Sequence, residues 1–149
     1  MGTKIIFADD SREDFELIKL AFDEIGHKDE ILWLKDGQEI LDFFRARAHF
    51  ASNENIEGRY LMIMDLNMPK LNGLEALAML KSCDELRKIP IIMMTTSQSQ
   101  LDLDKAYNAG ANSFMLKSYD FSSLVEICQS IKNYWIDKAL IPTVRIIGG

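Results

Sequence analysis

Residues 60–73 read YLMIMDLNMPKLNG, and the fold follows from the point where this stretch changes character. Residues 60–64 are apolar or aromatic without a break, the pattern of a strand buried on both faces in a parallel sheet covered by helices. The run stops at Asp65, a loop follows, and a helix is expected from Gly73. Open parallel sheets bind ligands just beyond the carboxyl ends of their strands, which is where Asp65 falls. Residues 4–8 (KIIFA) end in the same manner, at Asp9 and Asp10. If the two strands are neighbours, three carboxylates share one small site and their repulsion must be offset by a cation. Oxygen ligands favour a hard ion, Mg²⁺ before a softer metal. Taken singly, an Asp after a strand reads equally well as a turn residue or a helix cap.

Outward from this pair of strands, apolar runs and helical periodicity alternate. Ser11 and Asp14 have capping-box spacing ahead of Phe15, Ile18, Ala21, Phe22 and Ile25, with Gly26 as a stop. Residues 30–34 suit a second strand, and Asp36 with Glu39 caps a helix ending near Arg47 or His49. Residues 51–59 (ASNENIEGR) are polar and patternless and read as a surface loop. After the helix from Gly73, Pro90 leads into a fourth strand, residues 91–95. Ser99 and Asp102 cap a short helix stopped by Gly110, residues 111–116 form a fifth strand, and Asp120 caps the last helix. Every crossover is long enough for a parallel connection, so the expected architecture is α/β, an open doubly wound sheet of five strands with five helices. The expected unit is 1–137, and 138–149 is a tail. Pro142 breaks any continuing helix, and the tail suits an extra strand, a partner contact or a disordered end.

Composition narrows the function classes. A chain of 149 residues makes one domain, able to bury about two thirds of the surface its unfolded form exposes. A net charge of −6 argues against a broad nucleic-acid surface but not against a protein partner. No basic, apolar leader opens the chain and no window nears the ~18 apolar residues of a membrane span, so a cytoplasmic protein is expected. Cys83 and Cys128 are isolated, without disulfide or metal-ligand spacing. His27 and His49 lack companions at ligand spacing, which argues against phosphorylation of a histidine in this chain.

Four of the five strands end in polar groups: Asp9 and Asp10, Asp65, Thr95 and Thr96, and Lys117. With strand one between strands two and three, these ends line a crevice where the strand order reverses. Phosphoryl transfer to a carboxylate needs such a set. Asp65 would be the nucleophile, adequate when the donor is an activated phosphoryl group held in line. Mg²⁺ would be held by Asp10, Asp65 and the backbone carbonyl of Asn67, with Asp9 acting through a bound water. Lys117 would supply a mobile positive charge, and the Thr95 hydroxyl could donate to a phosphoryl oxygen. Each has a plainer reading: a surface lysine, a threonine serving the next helix, a turn asparagine.

Asp9-Asp10, Asp65, Thr95 and Lys117, in register with alternating strands and helices, resemble the receiver domain of two-component response regulators over roughly residues 4–135. More narrowly, DLNMPKLNG, MTTS, AGANSF and NYW resemble stand-alone regulators that partner phytochrome-type histidine kinases. The resemblance implies a flavodoxin-like sheet of order 2-1-3-4-5 and a phosphoryl group passed from a kinase histidine to Asp65. It also implies a switch in which Thr95 engages and an aromatic residue on strand five, here Phe114, swings inward. One departure stands out: the family usually has a cis proline after the lysine, and here Ser118 follows. A cis bond there would cost about 2.5–4 kcal/mol, so a trans or shifted loop is expected.

The expected output is a surface formed by helix four, strand five and helix five. Tyr134, Trp135 and Ile136 exceed what one sheet-facing stripe requires and suit a homodimer or partner interface; the plainer alternative packs Trp135 within the chain. The competing function class is a phosphorylation-independent interaction module on the same fold. A phosphatase with an aspartyl intermediate would need a general acid two residues past the nucleophile, where this chain has Asn67.

Overall fold

The computed structural model describes the backbone of residues 2–51 and 55–147 and the side chains of residues 2–45 and 57–145. In chain order the elements are β1 (Thr3–Ala8), α1 (Arg12–Glu24), β2 (Ile31–Leu34), α2 (Gly37–Ala51), β3 (Asn55–Met64), α3 (Gly73–Ser82), β4 (Ile91–Thr95), α4 (Gln100–Asn108), β5 (Ser113–Leu116), α5 (Phe121–Ile131) and β6 (Val144–Ile147). The first five strands form a parallel sheet of order β2-β1-β3-β4-β5, as expected.

Strand alternation sorts the core into two layers. On one face Ile6, Met62, Met64 and Met93 pack against Ile40 and Phe44 of α2, Leu77 and Leu80 of α3, and Ala106 of α4. On the other, Phe7, Leu61, Ile63 and Met94 meet Ile18 and Phe22 of α1 and Leu124 and Cys128 of α5. Both faces are covered, so the strands carry the continuous apolar runs seen in the sequence.

Residues 51–59 correct the expected surface loop. Ala51 closes α2, residues 52–54 lie outside the described residues, and residues 55–59 are the first half of β3. Residues 55–58 extend past the parallel sheet and pair antiparallel with β6, in the register Glu57↔Arg145 and Gly58↔Val144, while Arg59 already pairs with Thr3 of β1. The Arg145 Nε–Glu57 Oε1 pair, 3.1 Å apart and 88 residues distant in sequence, fastens the two strands. Of the three readings open for the tail, the extra strand is the one observed. Val144 is fully buried in the α2/α3 layer.

The last helix also differs. It leaves α geometry at Lys132 and ends in a π turn, Lys132–Ile136. The wider turn brings Trp135 and Ile136 against the α1/α5 layer and leaves Tyr134 exposed. The helix end expected near Arg47 or His49 falls at Ala51, and the side chains of both residues lie outside those described.

Because Val144 belongs to the core, Val144→Ala is expected to lower stability by about 2 kcal/mol in urea unfolding. An unchanged midpoint would mean that the tail does not pack.

Candidate functional site: an acidic cluster at the strand ends

The first acidic residue is held by backbone from two directions. At the end of β1, the Asp9 N–H donates to Leu34 O at 3.0 Å, and the Trp33 indole Nε1–H donates to Asp9 O at 2.7 Å. Trp33 stacks on Phe15 with ring centroids 5.0 Å apart, so β2 and α1 together fix the acidic pair. β2, which offered no polar strand end in the sequence, therefore contributes an indole donor.

Asp65 follows β3, its N–H donating to Ala8 O at 2.9 Å. The chain then turns through Lys70, a non-glycine residue at φ 64°, and enters α3 at Gly73. Gly73 has to be glycine for lack of room: a Cβ there would lie 2.1 Å from Asp65 O. Asn72 caps α3 in a reciprocal pair with Glu75. On the far side, Lys117 is joined to β4 through its N–H, 2.8 Å from Thr95 O.

These elements bring the strand-end acids together. Carboxylate oxygens of Asp9, Asp10 and Asp65 lie within 4.8 Å of one another, with Asp9 and Asp65 buried and Asp10 exposed. The Lys117 Nζ reaches Asp9 Oδ2 at 2.7 Å, Asp65 Oδ2 at 3.2 Å and Asp14 Oδ2 at 2.7 Å. Burial lowers the proton affinity of this ammonium, but its close contacts with the carboxylates of Asp14 and Asp9 and the charge of Asp65 outweigh that and hold its pKa above the usual lysine range. It is cationic at any ordinary pH.

Asp9 shows what the cluster lacks. Its Oδ1 accepts from Ser11 N at 2.9 Å, whereas the buried Oδ2 has no hydrogen bond directed at it. The ammonium is close enough for an ion pair but off the line of a hydrogen bond. Burial pushes this carboxyl from an ordinary 3.8 up to about 6, against the opposing pull of Lys117 and the Ser11 N–H. An under-satisfied carboxylate oxygen beside two more acids fits a hard divalent cation, which binds through oxygen ligands. The residues present are thus suited to such an ion.

The other expected residues fall around this centre. Thr95 is fully buried at the end of β4, its Oγ1 accepting from Ser97 N at 3.3 Å, and Thr96 is exposed. Asn67 is exposed in the loop after Asp65. Phe114 is half-buried against the layer under α4. No cis peptide occurs among the described residues, so the bond before Ser118 is trans, as its lack of proline implied.

The residue missed in the sequence is Asp14. Its N–H fulfils the expected cap, donating to Ser11 Oγ at 3.1 Å, but its carboxylate turns to Lys117 instead of closing a capping box. Asp9 takes the Ser11 N–H that the box would have used. A local spacing rule cannot distinguish these outcomes, because the deciding partner is 103 residues away.

An acidic triad with two buried members and a lysine, at the carboxyl ends of a doubly wound parallel sheet, defines a phosphoacceptor site of the aspartate type. The chain belongs to the response regulator receiver domain family, whose pattern matches residues 5–129. Such domains take a phosphoryl group from a histidine kinase onto themselves in a divalent-ion-dependent step and are not turnover enzymes. The chain is 34% identical over 132 residues to the probable methanogenesis regulatory protein FilR2 of Methanothrix harundinacea, covering 89% of this chain and 83% of that one. It is 30% identical over 140 residues to response regulator Rcp1 of Synechocystis, covering 93% and 92%. The crystal structure of the phosphorylated cyanobacterial phytochrome response regulator RcpA is similar with a TM-score of 0.83 at 30% identity, covering 95% and 99%. No helix among the described residues is long and apolar enough to cross a membrane.

The raised Asp9 pKa has a definite sign. The folded chain keeps this proton up to about pH 6, whereas the unfolded chain loses it near 3.8. The associated stabilisation is therefore complete below that lower value and disappears as pH rises through the upper one. Without divalent ions, the stability of the parent chain relative to Asp9→Asn is expected to fall by up to ~3 kcal/mol between about pH 4 and 7 in urea titrations. Parallel pH profiles for the two chains would contradict the desolvation of Asp9.

Proposed function

We propose that this protein is a phosphoacceptor switch in which Asp65 receives the phosphoryl group of a kinase phosphohistidine. The reading is carried by the Lys117 ammonium lying 3.2 Å from Asp65 Oδ2 inside the acidic triad. A carboxylate oxygen of Asp65 attacks phosphorus in line, the phosphorus–nitrogen bond to the donor imidazole breaks, and the imidazole leaves. Asp9, Asp10, Asp65 and the Asn67 carbonyl would hold the cation, which is Mg²⁺ on this reading. When bound, the ion supplies positive charge to the phosphoryl oxygens. Lys117 pairs with Asp65 before transfer and with a phosphoryl oxygen after it.

Thr95 and Phe114 carry the change outward on the same reading. The Thr95 hydroxyl, now accepting from Ser97, rotates to donate to the phosphoryl group, and Phe114 repacks beneath α4. The output surface is α4, β5 and α5, supported by the exposed Leu101, Tyr107, Leu116, Tyr119, Phe121 and Tyr134. Tyr134 offers the accessible part of a homodimer contact, for which Trp135 and Ile136 form the packed base. The receiver unit is 1–137, with 138–149 an accessory arm. The kinase is of phytochrome type, supported by the similarity to RcpA, and the setting is cytoplasmic.

Incubation with Mg²⁺ and a small phosphodonor is expected to add one phosphoryl mass to the parent chain and none to Asp65→Asn. Equal uptake by both chains, or none by either, would refute Asp65 as the acceptor. Partner binding indifferent to phosphodonor and Mg²⁺ would favour an interaction module instead. Light scattering with and without the donor tests the dimer, which an unchanging monomer excludes.

A further inference from the structure

Lys117 has one partner more than the phosphoryl chemistry uses. Its ammonium is only 10% exposed and is shared among three carboxylates, with Asp14 at 2.7 Å closer than Asp65 at 3.2 Å. The Asp14 carboxylate is itself 12% exposed and has no cap to serve, since Asp9 has taken the Ser11 N–H. Asp14 lies on the first turn of α1, outside the strand ends and outside the three-acid cluster. Lys117 begins the β5–α5 connection, where Ser118 imposes no ring constraint on the backbone. A long, flexible lysine leaving such a loop would otherwise be steered by the strand-end acids alone.

We infer that Asp14 is a positioning residue: it clamps the Lys117 ammonium toward α1 and competes with the phosphoryl group for it. This rests on Asp65 being the acceptor. Before transfer, the clamp draws the ammonium partly off Asp65 and leaves that carboxylate less neutralised. During transfer, Lys117 has to leave Asp14 to reach the phosphoryl oxygens. Asp14 thereby sets how readily the site engages a phosphoryl donor and how firmly Lys117 shields the product.

The test is a double-mutant cycle on the full chain with Mg²⁺ and a small phosphodonor, following intact mass over time. Asp14→Asn removes the charge and preserves the shape. Freed from the clamp, Lys117 should serve the phosphoryl group better, lowering the half-saturating donor concentration and slowing loss of the phosphoryl group, each by about threefold to tenfold. Asp14→Glu, which restores the charge, should return both values toward those of the parent. In a Lys117→Ala background the same Asp14→Asn change should have no effect, because the residue acts only through the ammonium. If Asp14→Asn proves unstable in urea, Asp14→Ser takes its place in the cycle.

Unaltered rates in Asp14→Asn would overturn the proposal. So would an equal shift with and without Lys117, which marks a general charge effect on an anionic donor. Failure of the underlying reading is distinguishable, since the parent chain would then take up no phosphoryl group or would keep doing so in Asp65→Asn.

Discussion

The ion pair between Lys117 and the carboxylates around it is the constraint on which the site depends. Asp9, Asp14 and Asp65 face a single ammonium, and Asp10 stands beside them. With all four acids ionised, three negative charges are left uncompensated. Like charges in a partly buried site raise one another's proton affinity or recruit a cation, and at Asp9 desolvation, with a smaller contribution from the charge of Asp65, raises the carboxyl's pKa. A site built this way is incomplete in charge, and that is what suits it to a divalent ion.

The scaffold turns this electrostatic imbalance into geometry. Five parallel strands with helices on both faces place the ends of β1, β3, β4 and β5 along one edge. Covered faces leave the carboxyl edge as the place where polar side chains can meet. Support for the acids comes largely from backbone and aromatic groups: Leu34 O and the Trp33 indole hold Asp9, and the close approach of Gly73 holds the turn after Asp65. These contacts restrict the carboxylates without neutralising them.

The opposite end of the sheet is organised by different forces. β3 continues beyond the parallel sheet to pair with β6, and Val144 from the tail fills the α2/α3 layer. Lys81 extends the same kind of support, donating to Arg87 O, Ile89 O and Asn112 Oδ1 and so tying α3 to the starts of β4 and β5. Burial lowers its pKa, consistent with a lysine used for packing. The two ends contrast in what they gather: strand pairing, an apolar side chain and a hydrogen-bonded lysine at one, and a cluster of acids around a single ammonium at the other.

The sequence by itself determined the parallel sheet, its covered faces and the identity of Asp9, Asp10, Asp65 and Lys117 as strand-end residues. Each of those follows from local patterning: unbroken apolar runs, helical periodicity and the polar residue at which a run stops. Only the tertiary structure decided that Asp14 faces Lys117, that Trp33 holds Asp9, that residues 55–59 are strand, and that Trp135 turns inward while Tyr134 does not. Asp14 and a polar strand look like a cap and a loop until partners 103 and 88 residues away arrive. Hydrogen bonds and ion pairs are short-ranged in space but indifferent to separation along the chain, so local periodicity registers burial and misses pairing.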